Sequence, residues 1–183
     1  MIEKVRNIAK KHVLEAVNIR KYLHAHPELS FKEYETSKYI QSVLKKHDIP
    51  FTTGHVETGI IATIKGKNPD TKEILLRADL DALPILENNN VEYKSKNKGV
   101  MHACGHDFHS ASLIGTALIL NELKEDFNGT IKFVFQPGEE KLPGGAKLMI
   151  EDGLLNNKPQ ACIAQHVYPD LQVGKVGFKP GLY

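Results

Sequence analysis

Between His102 and His109 the chain places three histidines, one cysteine and one aspartate: His102, Cys104, His106, Asp107 and His109. A thiolate and an imidazole two positions apart project from the same side of extended backbone, which suits shared coordination of a metal ion. Gly105 between them leaves the backbone free to bend. Asp107 also reads as the N-cap of a following helix. A second group, Glu139-Glu140, follows Pro137-Gly138. Neighbours in extended backbone point to opposite sides, so one carboxylate can face a metal and the other a bound water. Metal-assisted hydrolysis needs that division of labour: the ion lowers the pKa of water towards about 7, and a carboxylate takes the proton. Spacing alone does not assign the two roles. Asp81, two residues after Asp79, either orients a metal-binding histidine from behind or bridges two ions. His166 is a further ligand candidate. The competing chemistry is a cysteine nucleophile at Cys104 with a histidine base, in which paired glutamates have no part.

These residues fall where secondary structure is expected to end. Apolar positions Ile2, Val5, Ile8, Ala9, Val13, Ala16, Ile19 and Leu23 predict a helix over 2–24, stopped by Pro27. A second amphipathic helix is expected over 32–47. Short β-type runs fill 51–64, with Gly54 and Gly59 as turns. EILLRA (73–78) reads as a strand that delivers Asp79 and Asp81, and 88–99 as a polar loop. A helix follows over 107–123. TIKFVF (130–135) is a strand ending at Gln136-Pro137-Gly138-Glu139-Glu140, and a short helix lies near 146–151. Residues 161–164 are strand-like and lead to His166, with Cys162 as a core residue, and 173–178 form a last strand-like run. Arg77 and Lys141 read as structural. Helices alternating with strands predict an α/β sheet, whose sites lie beyond the carboxyl ends of its strands. Three of the four candidate clusters follow a predicted strand, and the fourth precedes the long helix.

The chain has 183 residues, 41% of them hydrophobic and 25% charged, which predicts one compact domain and at most a small second one. Its formal charge is +2, from 24 lysines and arginines against 22 acidic residues. Lys45-Lys46 and Lys94, Lys96 and Lys98 are the only dense basic spots, so a nucleic-acid partner is not expected. No apolar run approaches the roughly 18 residues that span a bilayer, so no membrane partner is expected either. The first twenty residues spread their charges and lack an apolar signal core, which predicts a cytoplasmic chain with reduced thiols. Two cysteines allow at most one bridge. Asn128-Gly129-Thr130 reads as a tight turn into the next strand.

Five runs occur in order: HAHPELSFKE (24–33), RADLDALP (77–84), GVMHACGHDFH (99–109), QPGEE (136–140) and QHVYPDLQVG (165–174). Together they resemble the M20 metallopeptidases over nearly the whole chain, specifically the amidohydrolase branch of aminoacylase-like, hippurate hydrolase-like and indoleacetyl-amino-acid hydrolase-like enzymes. The resemblance implies a three-layer α/β sandwich with a mixed, mainly parallel sheet. It implies hydrolysis of N-acyl amino acids, such as N-acetyl or N-benzoyl compounds, or of small peptides, at a centre of two divalent metal ions. Cys104, His106, Glu140 and His166 would be ligands and Glu139 the general base. Asp81 would orient the site, and Asp79 stands where the wider superfamily has a histidine. Mixed sulfur, nitrogen and oxygen ligands suit Zn²⁺, and Mn²⁺, Co²⁺ or Ni²⁺ are also compatible. The family pattern continues past Tyr183 into a lid, or dimerisation, domain, which supports a homodimer, and then returns with a further histidine ligand. Residues 1–183 are thus expected to be the N-terminal part of the catalytic domain, the lid being absent. The alternative is a non-catalytic metal-binding half-domain.

Overall fold

Alternating apolar residues sort the strands into two faces. In the computed structural model, which describes residues 1–178, 180 and 181, five strands form one sheet. They are β1 (Phe51–Gly54), β2 (Glu57–Lys65), β3 (Glu73–Asp79), β4 (Thr130–Gln136) and β5 (Ala161–Ala164), in the order β1-β2-β4-β3-β5. The sheet is mixed: β2 is antiparallel to β1 and β4, whereas β3 is parallel to both β4 and β5. The helices are α1 (Ile2–Ala25), α2 (Tyr34–Lys46), α3 (His106–Glu122) and α4 (Gly145–Glu151).

One face of the sheet presents Ile60, Ala62, Ile64, Ala78, Phe133 and Phe135 to α2 and α3. Phe133 and Phe135 are fully buried there, and each contributes about 2–3 kcal/mol of apolar burial. The intervening Leu75 and Val134 face the other way, onto Met149 of α4. Helices on both faces make three layers. Helix α3 is apolar around most of its circumference because it is covered twice, by the sheet and by Ile19 and Leu23 of α1.

The chain leaves β3 through α3 to reach β4, then passes back across β3 through α4 to reach β5. The two crossovers depart in opposite directions along the sheet and use opposite faces. Such a reversal opens a crevice at the carboxyl ends of the strands.

Three expectations need correction. Gly59 lies inside β2, not in a turn; the chain reverses between Gly54 and Glu57. Cys162 is exposed, not core, because β5 is an edge strand and the described residues do not cover it. Residues 173–178 form a turn and irregular backbone instead of a strand. Val173, Val176 and Phe178 are 99%, 94% and 89% exposed, with no neighbouring strand to pair them among the described residues. No helix among these residues is long and apolar enough to cross a membrane.

Candidate metal centre

Strands β3, β4 and β5 run the same way, so their carboxyl ends open on one edge of the sheet. Asp79 ends β3 and Asp81 follows it; Glu139 and Glu140 follow β4; His166 follows β5; and α3 begins with His106. All six predicted site residues, Asp81, Cys104, His106, Glu139, Glu140 and His166, meet at this edge. The ligand atoms of Cys104, His106 and His166 lie within 4.8 Å of one another, as do those of His106, Glu139 and Glu140. His106 is common to both groups.

Gly105 makes this convergence sterically possible. Its φ of +91° belongs to the left-handed region, and a Cβ there would run into the side chain of Val167. The turn brings Cys104 Sγ to 3.4 Å from His166 Nε2 while His106 starts the helix.

Both histidines have their Nδ1–H engaged. His106 Nδ1–H donates to the Asp81 carbonyl at 2.8 Å, with the Asp81 carboxylate 3.3 Å away. His166 Nδ1–H donates to the Val167 carbonyl at 2.7 Å. Each ring therefore turns an Nε2 lone pair into the site, and that of His106 is buried without a hydrogen-bond partner. An orphaned buried acceptor carries a free-energy cost that a cation removes. Two ligands about 2.0–2.3 Å from a tetrahedral ion are separated by about 3.3–3.8 Å. The Cys104–His166 spacing and the 3.8 Å between His106 Nε2 and Glu140 Oε1 match that range. The donor set fits a divalent metal.

The glutamates do not point to opposite sides as extended backbone would require. The backbone bends at Glu139 and Glu140, and both carboxylates turn toward His106 Nε2, at 4.0 and 3.8 Å. Asp81 sits behind His106, against its Nδ1. Its Oδ2 accepts from the Ser30 hydroxyl at 2.6 Å and from the Glu140 amide at 2.9 Å. Burial raises the Asp81 carboxyl, but His106, Ser30 and the amides of Glu140 and Glu139 outweigh it and hold the pKa down at about 2. One ionised carboxylate thus ties the histidine to the glutamate loop.

Burial, with Glu140 hydrogen-bonded and Glu139 and Asp79 nearby, pushes the Cys104 thiol up to about 12. A nucleophilic thiol requires the opposite shift, so this environment disfavours the cysteine-nucleophile chemistry. A bound cation reverses this penalty and favours the thiolate.

The remaining members of the 102–109 cluster do other work. His109 Nε2 accepts the Val167 amide at 3.0 Å, so its proton sits on Nδ1, facing Asp79 Oδ2 at 3.5 Å. That ring has no lone pair for a metal, although it lies near Asp79 and His106. Asp79 also pairs with Arg77, which supports the structural reading of that arginine. Asp107 is not the N-cap of α3, a place taken by Gly105. Its buried carboxylate accepts from His24 Nδ1–H and Arg20 Nε–H, each at 2.8 Å. His24 Nε2–H donates to Glu87 at 3.0 Å. His102 lies beside His24 and is pushed down to about 4, chiefly by burial.

Asp107 hydrogen bonding raises the pKa of His24, burial opposes it, and Glu87 adds to the rise. A raised folded-state pKa contributes stability that is complete below the unfolded value of about 6.5 and is lost as pH climbs through the folded value. The expected result is a lower unfolding free energy at pH 8.5 than at pH 6, measured by urea denaturation. The His24→Gln variant should lack that difference; an equal decline in both would remove His24 as its source.

The sequence profile of Peptidase family M20/M25/M40 matches residues 75–181. The chain belongs to this family. Among M20 relatives, an N-acetylcysteine deacetylase of Bacillus subtilis is 48% identical over 90% of this chain and 43% of its own length. An N-acyl-L-amino acid amidohydrolase of Geobacillus stearothermophilus is 39% identical over 98% of this chain and 48% of its own. The solved structure of Bacillus subtilis YXEP, described as a dinuclear metal binding peptidase of the M20 family, superposes with a TM-score of 0.88. It is 47% identical and is matched over 94% of this chain and 48% of that one. This M20 chain thus spans slightly less than half the length of these relatives.

Residue-type reasoning missed the supports of the M20 site. Ser30, Glu33, His24, Arg20 and Glu87 reach it or its backing from distant segments. His24, Ser30 and Glu33 all lie in the run 24–33, and their partners Asp107, Asp81 and Gly138 lie in three of the other family runs.

Proposed function

We propose that residues 1–183 form the N-terminal part of a catalytic domain that hydrolyses the amide bond of N-acyl amino acids, such as N-acetyl or N-benzoyl compounds, to a carboxylate and a free amino acid. The observation that carries this reading is the pair of donor groups sharing the buried, partnerless Nε2 of His106. Cys104, His106, Glu140 and His166 would hold two divalent ions, with Zn²⁺ or Mn²⁺ suiting this donor set. Ions held there supply Lewis acidity to the amide carbonyl and lower the pKa of water. Names of the relatives support the substrate class.

Glu139 is the general base in this reading. Its side chain is 42% exposed, against 23% for Glu140, so it faces the side open to substrate. The Glu139 carboxylate takes a proton from water as the water oxygen bonds to the carbonyl carbon. It returns that proton to the amide nitrogen as the C–N bond breaks. Asp81 holds His106 and the Glu140 amide in place throughout.

Glu139→Gln is expected to lower turnover of an N-acetyl amino acid by about a thousandfold or more while bound metal is unchanged. Metal content falling in step with activity would make Glu139 a ligand instead of the base. The chain's share of its relatives' length supports a second reading, a metal-binding half-domain without activity of its own. Assaying the 183-residue chain on acetyl- and benzoyl-amino acids with added Zn²⁺ or Mn²⁺ separates the two, since sustained turnover sinks the half-domain reading.

A further inference from the structure

Glu33 is fully buried, at 0% exposure, although it lies at the start of α2, and it binds a segment 105 positions away in sequence. Its Oε1 accepts two backbone N–H groups at once, Phe31 at 2.9 Å and Gly138 at 2.8 Å. Its Oε2 accepts the Thr58 hydroxyl at 2.8 Å. Gly138 immediately precedes Glu139 and Glu140. The same loop is gripped from a second side: Gly138 has φ +57°, and the ring of Phe31 fills the space its Cβ would need. Phe31 itself has φ +62°, a strained conformation for an aromatic residue, held by the bond from its own amide to Glu33. Ser30 of this segment donates to Asp81, which fixes the Glu140 amide. Residues 30–33 therefore hold the glutamate loop at Gly138 directly and at Glu140 through Asp81.

We propose that Glu33 is a positioning residue for the metal centre, its carboxylate pinning the Gly138 amide so that Glu139 and Glu140 stay within reach of His106. The proposal rests on the metal-centre reading above. A buried carboxylate replaced by a small apolar side chain leaves two backbone donors and a hydroxyl unpaired, and the loop relaxes to satisfy them. Glutamine conserves the function: its Oε1 accepts both amides, and its NH₂ donates to the Thr58 oxygen. Aspartate, one methylene shorter, cannot span to Gly138.

The test compares Glu33→Ala, Glu33→Asp, Glu33→Gln and Thr58→Val in the full chain. Two quantities are read: Zn²⁺ affinity by chelator competition, and amide hydrogen exchange of the 136–140 segment without metal. Thr58→Val strips the other carboxylate oxygen of its partner but leaves Gly138 held, so it controls for lost stability alone. Glu33→Ala and Glu33→Asp are expected to weaken Zn²⁺ binding about tenfold or more and to speed exchange at 136–140 by a similar factor. Glu33→Gln and Thr58→Val should stay within about threefold of the parent on both measures. If Glu33→Ala does not fold, the contrast of aspartate with glutamine carries the test. The proposal is overturned if aspartate matches the parent, if glutamine fails as badly as aspartate, or if Thr58→Val reproduces the loss. A parent chain that binds no Zn²⁺ overturns the metal-centre reading instead, and exchange at 136–140 then decides whether Glu33 pins the loop.

Discussion

His106→Ala is expected to weaken Zn²⁺ binding by more than about a hundredfold, beyond the 10–100-fold typical of losing a group behind a ligand. His106 is the one side chain shared by both donor groups, and it is 1% exposed. Its Nδ1–H bond to Asp81 fixes the ring before any ion arrives. Removing the imidazole takes away a ligand and leaves the carboxylates facing one another across the gap. Asp81→Asn provides the graded comparison, because His106 remains while its backing charge is lost. That variant should fall within the 10–100-fold band. Chelator-competition titration of the three proteins measures the series. An alanine variant that binds Zn²⁺ within tenfold of the parent would remove His106 from the centre.

The second large effect concerns stability. Asp107→Ala is expected to cost about 3–5 kcal/mol, the range for breaking a buried ion pair from one side. The carboxylate is 1% exposed and accepts from His24 and Arg20 through the same oxygen. Its removal leaves the His24 imidazole, at 4% exposure, and the half-buried Arg20 guanidinium adjacent with like charge. Asp107 also occupies the first turn of α3, where a negative charge is favoured by the helix dipole. Asp107→Asn keeps an acceptor and should lose less. Urea denaturation checks both, and a loss below 1 kcal/mol for alanine would show that Glu87 compensates.

The strand ends were the legible part of this molecule. EILLRA and TIKFVF announce β3 and β4 by composition, and each stops where acidic residues begin, so the carboxyl edge could be found from local pattern. The family runs named the same residues independently. What local pattern could not supply was the environment of each element. Cys162 sits in an apolar run that looks like core, but burial depends on whether another strand lies beyond β5. Val173 to Phe178 has strand-like composition and no partner strand among the described residues. The facing of Glu139 and Glu140 depends on bends anchored by Gly138 and Asp81, the latter 59 positions away from its amide partner. Glu33 looks like an ordinary acidic residue ahead of a helix. Its partner Gly138 is 105 positions away, a separation that no periodicity signals.

The register of β3 against β4 has a consequence for quality control in folding. Asp79 lies opposite Gln136, and Ala78 opposite Phe135. A slip of one residue would carry Val134 to the helix-covered face, expel Phe133 and Phe135 from it, and displace the Glu139-Glu140 loop by about 3.3 Å along the strand. That displacement is nearly as large as the whole 3.8 Å gap between Glu140 and His106. Only the correctly threaded sheet can assemble the donor atoms, so metal uptake would report strand alignment to within a single residue.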